Sequence, residues 1–147
     1  SKNWYKQKAK ISKLHEYIKN CRRDFLHKLS KKLSEEYNAV VVEDLNMKGM
    51  SQSLNFGKSV GDNGWGMFLK MLEYKLMFLG KQFLKIDNLK IDKWFPSSKT
   101  CSKCGNIKEE LELSERSYRC ECCGIEIDRD YNAALNIKNI GKSILKY

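Results

Sequence analysis

Four cysteines in the last third of the chain constrain its fold more than any other feature. They form two C-x-x-C-G turns separated by fifteen residues: Cys101, Cys104 and Gly105, then Cys120, Cys123 and Gly124. A two-residue gap lets one tight turn present two sulfurs to one ion, and zinc takes four thiolates at tetrahedral corners. The glycines relieve the crowded backbone of each turn. Because four thiolates leave no open coordination position, the pattern predicts a structural zinc site.

Two other interpretations of the cysteines are two disulfides and unrelated core thiols. The lysine-rich composition and the lack of a leader with basic, apolar and small-residue blocks favour zinc over disulfides. Cys122, inside the second turn, is an alternative ligand to Cys123. Cys123 keeps both turns in the same register, so we predict Cys123.

Charge indicates the class of partner. The chain has 147 residues, with 28 Lys and Arg against 18 Asp and Glu, a formal net charge of +10. Such an excess favours a polyanion, usually nucleic acid, although a generally basic proteome explains charge alone equally well. No apolar run approaches the roughly 20 residues that cross a bilayer. We therefore expect a soluble, cytoplasmic protein with no membrane partner.

Hydrophobic periodicity predicts two helices before the cysteines. The first runs from about Lys6 to Tyr37, with Cys21 buried on its apolar stripe. The second ends at Gly80, and Asn46 to Asn63 between them has the composition of a loop. The first stripe comprises Ile11, Leu14, Ile18, Cys21, Phe25, Leu29 and Leu33, and the opposite face Lys13, Lys19, Arg23, Lys28 and Lys31. The second comprises Trp65, Phe68, Leu69, Leu72, Leu76 and Leu79.

Short β-branched or alternating segments predict strands. Ala39 to Glu43 is one, Gln82 to Phe95 contains one or two, and Ile125 to Ile127 is the last. Asp128-Arg129-Asp130 then opens a final helix. We predict that the buried stripe of this helix consists of Ala133, Ile137, Ile140 and Ile144.

Glu43 and Asp130 are candidate ligands for a hard cation. One ends a strand, and the other lies at the start of a helix. Magnesium takes carboxylate oxygens from separate segments, and paired ions can clamp the attacking and leaving oxygens of a phosphodiester. A site of this type needs a third acid on a central strand, and neither Asp24 nor Asp62 lies on one. The alternative is that Glu43 is simply a strand end and that the aspartate caps the helix.

Three motifs resemble the TnpB proteins, the OrfB-type transposases of insertion sequences. They are V-V-V-E-D-L-N-M-K-G-M (Val40 to Met50), W-F-P-S-S-K-T-C-S-K-C-G (Trp94 to Gly105) and C-E-C-C-G-I-E-I-D-R-D-Y-N-A-A-L-N-I (Cys120 to Ile137). The resemblance implies an α/β fold: a partial RNase H-like (RuvC-like) domain interrupted by a four-cysteine zinc ribbon. The nuclease core would comprise residues 1–95 and 128–147, and the ribbon residues 96–127.

The resemblance also implies activity, cofactors and partners. Glu43 matches the second catalytic acid of the family and Asp130 the third, both Mg²⁺ ligands, and the four cysteines match its zinc ligands. The family cleaves DNA under the direction of a guide RNA. Its first catalytic aspartate lies on a strand ahead of the long helix, so we expect a C-terminal part that is inactive alone. The alternative is a non-catalytic, basic zinc-ribbon module that binds nucleic acid.

Overall fold

A computed structural model describes residues 1–45, 64–86, 95–112 and 114–146. The chain divides into two compact units, Ser1–Val40 with Asn46–Phe83 and Val41–Leu45 with Leu84–Tyr147. The mixture of helices and strands agrees with the predicted α/β class. In chain order the elements are α1 (Lys2–Glu36), β1 (Ala39–Glu43), α2 (Trp65–Phe78), β2 (Gln82–Ile86), β3 (Ser117–Arg119), β4 (Glu126–Asp128) and α3 (Arg129–Leu145).

The first unit is built on the packing of α1 against α2. Leu72 and Leu76 of α2 are almost completely buried, at 1% and 0% exposure. The facing stretch of α1 buries Leu26 together with Ser30 and Ser34. Both hydroxyls are satisfied within their own helix, since Ser30 Oγ donates to the Leu26 carbonyl at 2.7 Å and Ser34 Oγ to that of Lys31 at 2.8 Å. Ser30 Oγ also accepts from Lys75 Nζ of α2 at 2.7 Å, so the contact combines buried leucines with satisfied hydroxyls.

Gly80 ends α2 as predicted. It has a φ of +67°, its N–H donates to the Met77 carbonyl at 3.0 Å, and the N–H of Lys81 donates to that of Leu76 at 2.8 Å. This pair of bonds is the Schellman arrangement, which needs a left-handed residue just past the helix. The prediction of Gly80 as the terminating residue is confirmed.

The predicted stripe of α1 is largely uncovered in the described residues. Ile11, Leu14 and Phe25 are 56%, 59% and 62% exposed, and Cys21 is also exposed, so the prediction that Cys21 is buried was wrong. The buried residues of α1 are instead Leu26, Ser30 and Ser34. They lie on a different face of the helix from the larger apolar residues of the predicted stripe. Leu79, predicted in the core with α2, is 47% exposed because it lies beyond the last helical turn.

Strands β1 and β2 pair in a two-stranded sheet. The N–H of Gln82 donates to the Asn38 carbonyl at the start of both strands, and the N–H of Asp44 donates to that of Ile86 at their ends. The two strands therefore run in the same direction. The predicted loop, Asn46 to Asn63, and residues 87–94 of the predicted second strand region lie outside the described residues. None of the described helices is both long and apolar enough to cross a bilayer.

The second unit contains the cysteine turns and α3. Strands β3 and β4 pair antiparallel with Tyr118 opposite Ile127. The last strand, predicted at Ile125 to Ile127, is present and lies one residue later, at Glu126–Asp128. Along α3 the buried residues are Asn132, Asn136 and Gly141. The predicted stripe was wrong at Ile144, which is 46% exposed, because the face that packs carries these two amides and a glycine. The proposed ribbon boundaries, residues 96 and 127, remain a prediction.

Candidate functional site: the thiolate centre and the acidic residues

Both cysteine turns have the same backbone geometry. In the first, the N–H of Gly105 donates to the Cys101 carbonyl at 2.9 Å, and in the second that of Gly124 donates to the Cys120 carbonyl at 3.0 Å. Both glycines have positive φ, +77° and +70°, which other residues adopt at a cost. This repetition places the two pairs of sulfurs so that they face one another.

The four sulfurs form one compact group. Cys101 Sγ lies 3.7 Å from Cys123 Sγ, Cys104 Sγ lies 3.6 Å from Cys120 Sγ, and all four lie within 4.8 Å of one another. A tetrahedral zinc ion with Zn–S bonds of about 2.3 Å separates its sulfurs by about 3.8 Å. All four cysteines are free thiols, and Cys122 is exposed and outside the group. The donor set and its spacing therefore fit zinc and not two disulfides.

The sulfurs differ in how readily they ionise. The backbone N–H of Cys123, helped by that of Cys122, lowers the pKa of Cys120 to about 6. The backbone N–H of Asn106 favours the thiolate of Cys104, but burial and the neighbouring sulfurs outweigh it and raise the pKa of Cys104 to about 12. Crowded thiols cannot all ionise without a counter-charge, and a divalent cation supplies it.

Tyr118 packs against the cysteines of the thiolate group. It is completely buried with Cys101 and Cys120, and its hydroxyl donates to the Lys99 carbonyl at 3.1 Å. Burial, followed by the nearby sulfurs, raises the pKa of Tyr118 to about 12. Tyr118 therefore packs against the cysteine turns, whereas Arg119 is exposed.

Glu43 and Asp130 lie where the sequence indicated. Glu43 is the last residue of β1 and is half-buried, and Asp130 is exposed in the first turn of α3. The cap of α3 is a different residue, Asp128, whose Oδ1 accepts from the N–H of Tyr131 at 2.9 Å. Capping therefore does not account for Asp130. That Glu43 and Asp130 are metal ligands remains a prediction.

Helix α3 packs directly on β1. A Cβ placed on Gly141 would lie 2.4 Å from Cγ2 and 2.8 Å from Cγ1 of Val41, closer than two carbon atoms can approach. Glycine is therefore required for the close contact of helix and strand. Val41 is two residues before Glu43, and Gly141 lies on the helix of Asp130, about three turns after it. The strand with one acid and the helix with the other are thus joined within one unit.

Two asparagines of α3 were missed by the sequence analysis. Asn132 is 0% and Asn136 is 5% exposed, and both amides bond the backbone around Thr100. Arg129 bonds another part of the ribbon, with Nη1 donating to the carbonyls of Glu112 at 3.0 Å and Glu115 at 3.2 Å. The spacing of the two asparagines could have identified them. They are four residues apart, so they lie on one face of the helix, next to the predicted buried residues Ala133 and Ile137.

Two protein-family models match the chain. Residues 65–137 match the model described as Cas12f1-like, TNB domain, and residues 1–54 match the one described as Probable transposase. The two matches cover both cysteine turns, Glu43 and Asp130. They are consistent with the three motifs from which the resemblance was inferred.

Curated relatives match along nearly the whole chain. The protein named "Putative RNA-guided DNA endonuclease" of Streptomyces pristinaespiralis is 38% identical over 141 residues, which is 96% of this chain and 34% of that protein. The protein "Putative RNA-guided DNA endonuclease InsQ" of Escherichia coli K12 is 34% identical over 160 residues, 99% of this chain and 38% of that protein. The chain thus spans about a third of the length of these relatives.

A solved structure has a similar fold. It is the cryo-EM structure of the Cas12f1-sgRNA-target DNA complex, which matches with a TM-score of 0.69 and 24% identity over 90% of this chain and 37% of that chain. This likeness establishes a shared fold for the matched region. The motifs, the family models and the curated relatives agree, and the chain belongs to the TnpB/OrfB-type transposase family.

Proposed function

We propose that this chain is the nuclease part of a transposon-encoded, RNA-guided DNA endonuclease with a RuvC-like core. The observation that carries the proposal is the contact of Gly141 with Val41, which joins the helix of Asp130 to the strand that ends at Glu43. The names of the curated relatives support the same activity. The Cas12f1 complex that shares the fold contains guide RNA and target DNA, which supports these two partners.

Glu43 and Asp130 would hold Mg²⁺, and the four cysteines would hold a structural Zn²⁺. Bound magnesium supplies the electrostatic stabilisation for hydrolysis of a phosphodiester. The side chains provide carboxylate oxygens from a strand end and from the positive end of a helix. The thiolates leave no open position on zinc, so we assign the zinc to holding the two turns together.

A manganese titration tests the acidic site directly, because Mn²⁺ occupies magnesium sites and broadens nearby NMR signals. We expect selective broadening of the amides around Glu43 and Asp130, and its loss in Glu43→Gln and in Asp130→Asn. The matched control is Glu121→Gln, since Glu121 is an exposed acid of the ribbon. Broadening that is spread over all exposed acids would refute the shared site and leave the basic zinc-ribbon binding module as the function.

DNA binding tests the polyanion partner. The exposed face of α1 carries Lys13, Lys19 and Arg23, while Lys28 and Lys31 are paired with acids one turn away. Neutralising phosphates releases counterions, so three phosphate contacts by these cations should make the affinity for DNA fall about 40-fold between 50 and 200 mM salt. Fluorescence anisotropy measures this dependence, and an affinity that is indifferent to salt would contradict phosphate binding.

We further propose that the 147-residue polypeptide does not cleave DNA by itself. It contains matches to two of the three acids that the family resemblance implies, and paired-ion cleavage needs ligands that hold both ions. The measurement is incubation of the zinc-loaded protein with plasmid and Mg²⁺. Robust cleavage that disappears in Asp130→Ala would overturn this proposal while supporting the role of Asp130.

A further inference from the structure

Asn132 bonds the chain on both sides of a zinc-ligand candidate. Its Nδ2 donates to the Thr100 carbonyl at 2.7 Å, and its Oδ1 accepts from the N–H of Ser102 at 3.0 Å. Thr100 and Ser102 are the two neighbours of Cys101 in the chain. One buried side chain of α3 thus holds the backbone that presents Cys101.

Asn136, one turn later, bonds the same place. Its Nδ2 lies 2.7 Å from the Thr100 carbonyl and 2.8 Å from that of Ser97. The Thr100 carbonyl therefore receives two amide donors, which occupy both of its lone pairs. The Thr100 side chain and N–H in turn donate to the Pro96 carbonyl, each at 3.0 Å. Because these groups are buried, loss of either donor is costly.

We propose that Asn132 and Asn136 are positioning residues that fix the first turn of α3, and with it Asp130, to the Cys101 turn. Asp130 is two residues before Asn132 on the same helix, and Cys101 is bracketed by bonds to Asn132. Zinc binding and the placement of Asp130 are then coupled through side-chain amides. The importance for cleavage rests on the proposed function, whereas the coupling itself does not.

Amide hydrogen exchange of the zinc-loaded protein measures the coupling. The Ser102 N–H reports on the Asn132 bond, and the Tyr131 N–H, bonded to Asp128, reports on the first turn of α3. In Asn132→Ala we expect both amides to exchange about tenfold to a hundredfold faster, because a buried hydrogen bond is lost and its carbonyl partner is left under-satisfied. Chelating zinc from the unchanged protein should also accelerate exchange at Tyr131.

Asn139→Ala is the matched control, since Asn139 is an exposed asparagine of the same helix. It should leave the exchange of Ser102 and Tyr131 unchanged. Asn136→Ala is a milder variant that keeps the Asn132 bonds, and it should accelerate the exchange of Tyr131 by a smaller factor. Should Asn132→Ala fail to fold, Asn136→Ala carries the same comparison.

Zinc content and Mn²⁺ broadening separate the two proposals. If Asn132→Ala retains zinc but exchanges at Tyr131 as slowly as Asn139→Ala, the coupling is overturned whatever Asp130 does. If Tyr131 exchanges faster in Asn132→Ala and also on zinc removal, the coupling stands, even where Mn²⁺ never broadens the amides near Asp130. Weaker Mn²⁺ broadening in zinc-loaded Asn132→Ala would extend the coupling to the acidic site.

Discussion

Helices α1 and α2 pack through leucine and serine side chains, whereas the segment with the two cysteine turns packs through four sulfurs and a tyrosine. Leu72 and Leu76 are almost fully buried in the first unit, and Cys101, Tyr118 and Cys120 are the buried cluster of the second. A segment as short as the ribbon cannot bury enough apolar surface to fold by that means alone. The comparison predicts that the two units respond to different perturbations.

Zinc removal should have the largest effect, and it should act on the second unit. Structural zinc contributes about 10–16 kcal/mol in small zinc-binding peptides, so its loss exceeds what the small ribbon core can offset. Chelation or Cys101→Ser should abolish amide protection around both cysteine turns. The helices α1 and α2 should keep their circular dichroism, because no sulfur of the group belongs to their core.

Cys122→Ser is the control for this prediction, because Cys122 is exposed and outside the group. Its zinc content should equal that of the unchanged protein. Equal zinc content in Cys101→Ser would contradict the ligand assignment.

Acid should release zinc, because every ligand must lose its proton and the raised pKa of Cys104 keeps that proton bound at neutral pH in the absence of metal. Zinc affinity should therefore fall as the pH falls.

A cavity in the core of the first unit should destabilise that unit and leave the zinc affinity of the second unit unchanged. Leu76→Ala removes a side chain with 0% exposure and should cost about 2–5 kcal/mol of unfolding free energy. Phe78→Ala, on the same helix but 89% exposed, should stay within about 0.5 kcal/mol. Urea titration followed by far-UV circular dichroism, to which α1 and α2 contribute most of the helical residues, measures both. A fall in zinc affinity in Leu76→Ala would show that the two cores are not independent.

The contact of α3 with β1 should respond to a single added methyl group. Gly141→Ala forces a carbon atom to within 2.4 Å of Val41 and should destabilise the second unit by about 1–3 kcal/mol. Gly66→Ala is the matched control, since a Cβ there meets nothing within 4 Å, and it should stabilise α2 by up to about 1 kcal/mol. Adding Val41→Ala to Gly141→Ala should restore part of the loss. Thermal unfolding measures the series, and equal effects of the two glycine changes would refute the close contact.

Local patterns predicted much of what depends on neighbouring residues. The two turns need positive φ at Gly105 and Gly124, the end of α2 needs it at Gly80, and glycine marks all three in the sequence. The predicted and observed bounds of β1 are the same, because five consecutive residues with three valines favour an extended chain. In each case the physical cause lies within a few residues of the feature.

Features that depend on distant partners were not predictable. Which face of α1 is covered depends on α2. The hydrophobic pattern of α1 alone therefore predicted a buried face with Ile11 and Phe25, whereas Leu26 and Ser30 are the buried residues. The partners of Asn132 lie 30 and 32 positions away in the chain, and an isolated asparagine on a helix resembles a surface residue. The placement of Glu43 relative to Asp130 depends on distant contacts in the same way, and the Mn²⁺ titration tests it.

The smallest predicted effect concerns the end of α1. Lys81 Nζ donates to the carbonyls of Ser34 at 2.7 Å and Glu35 at 2.9 Å, which belong to the last turn of the helix. A cation at this end satisfies open carbonyls and opposes the negative pole of the helix. Lys81→Met keeps the apolar stem and should cost about 0.5–1 kcal/mol in urea titration, while Lys70→Met, at an exposed position of α2, should cost less. Because the contribution comes from two direct hydrogen bonds, it should largely survive 0.5 M salt. Equal losses for the two lysines would mean that general charge, and not the capping of α1, stabilises the first unit.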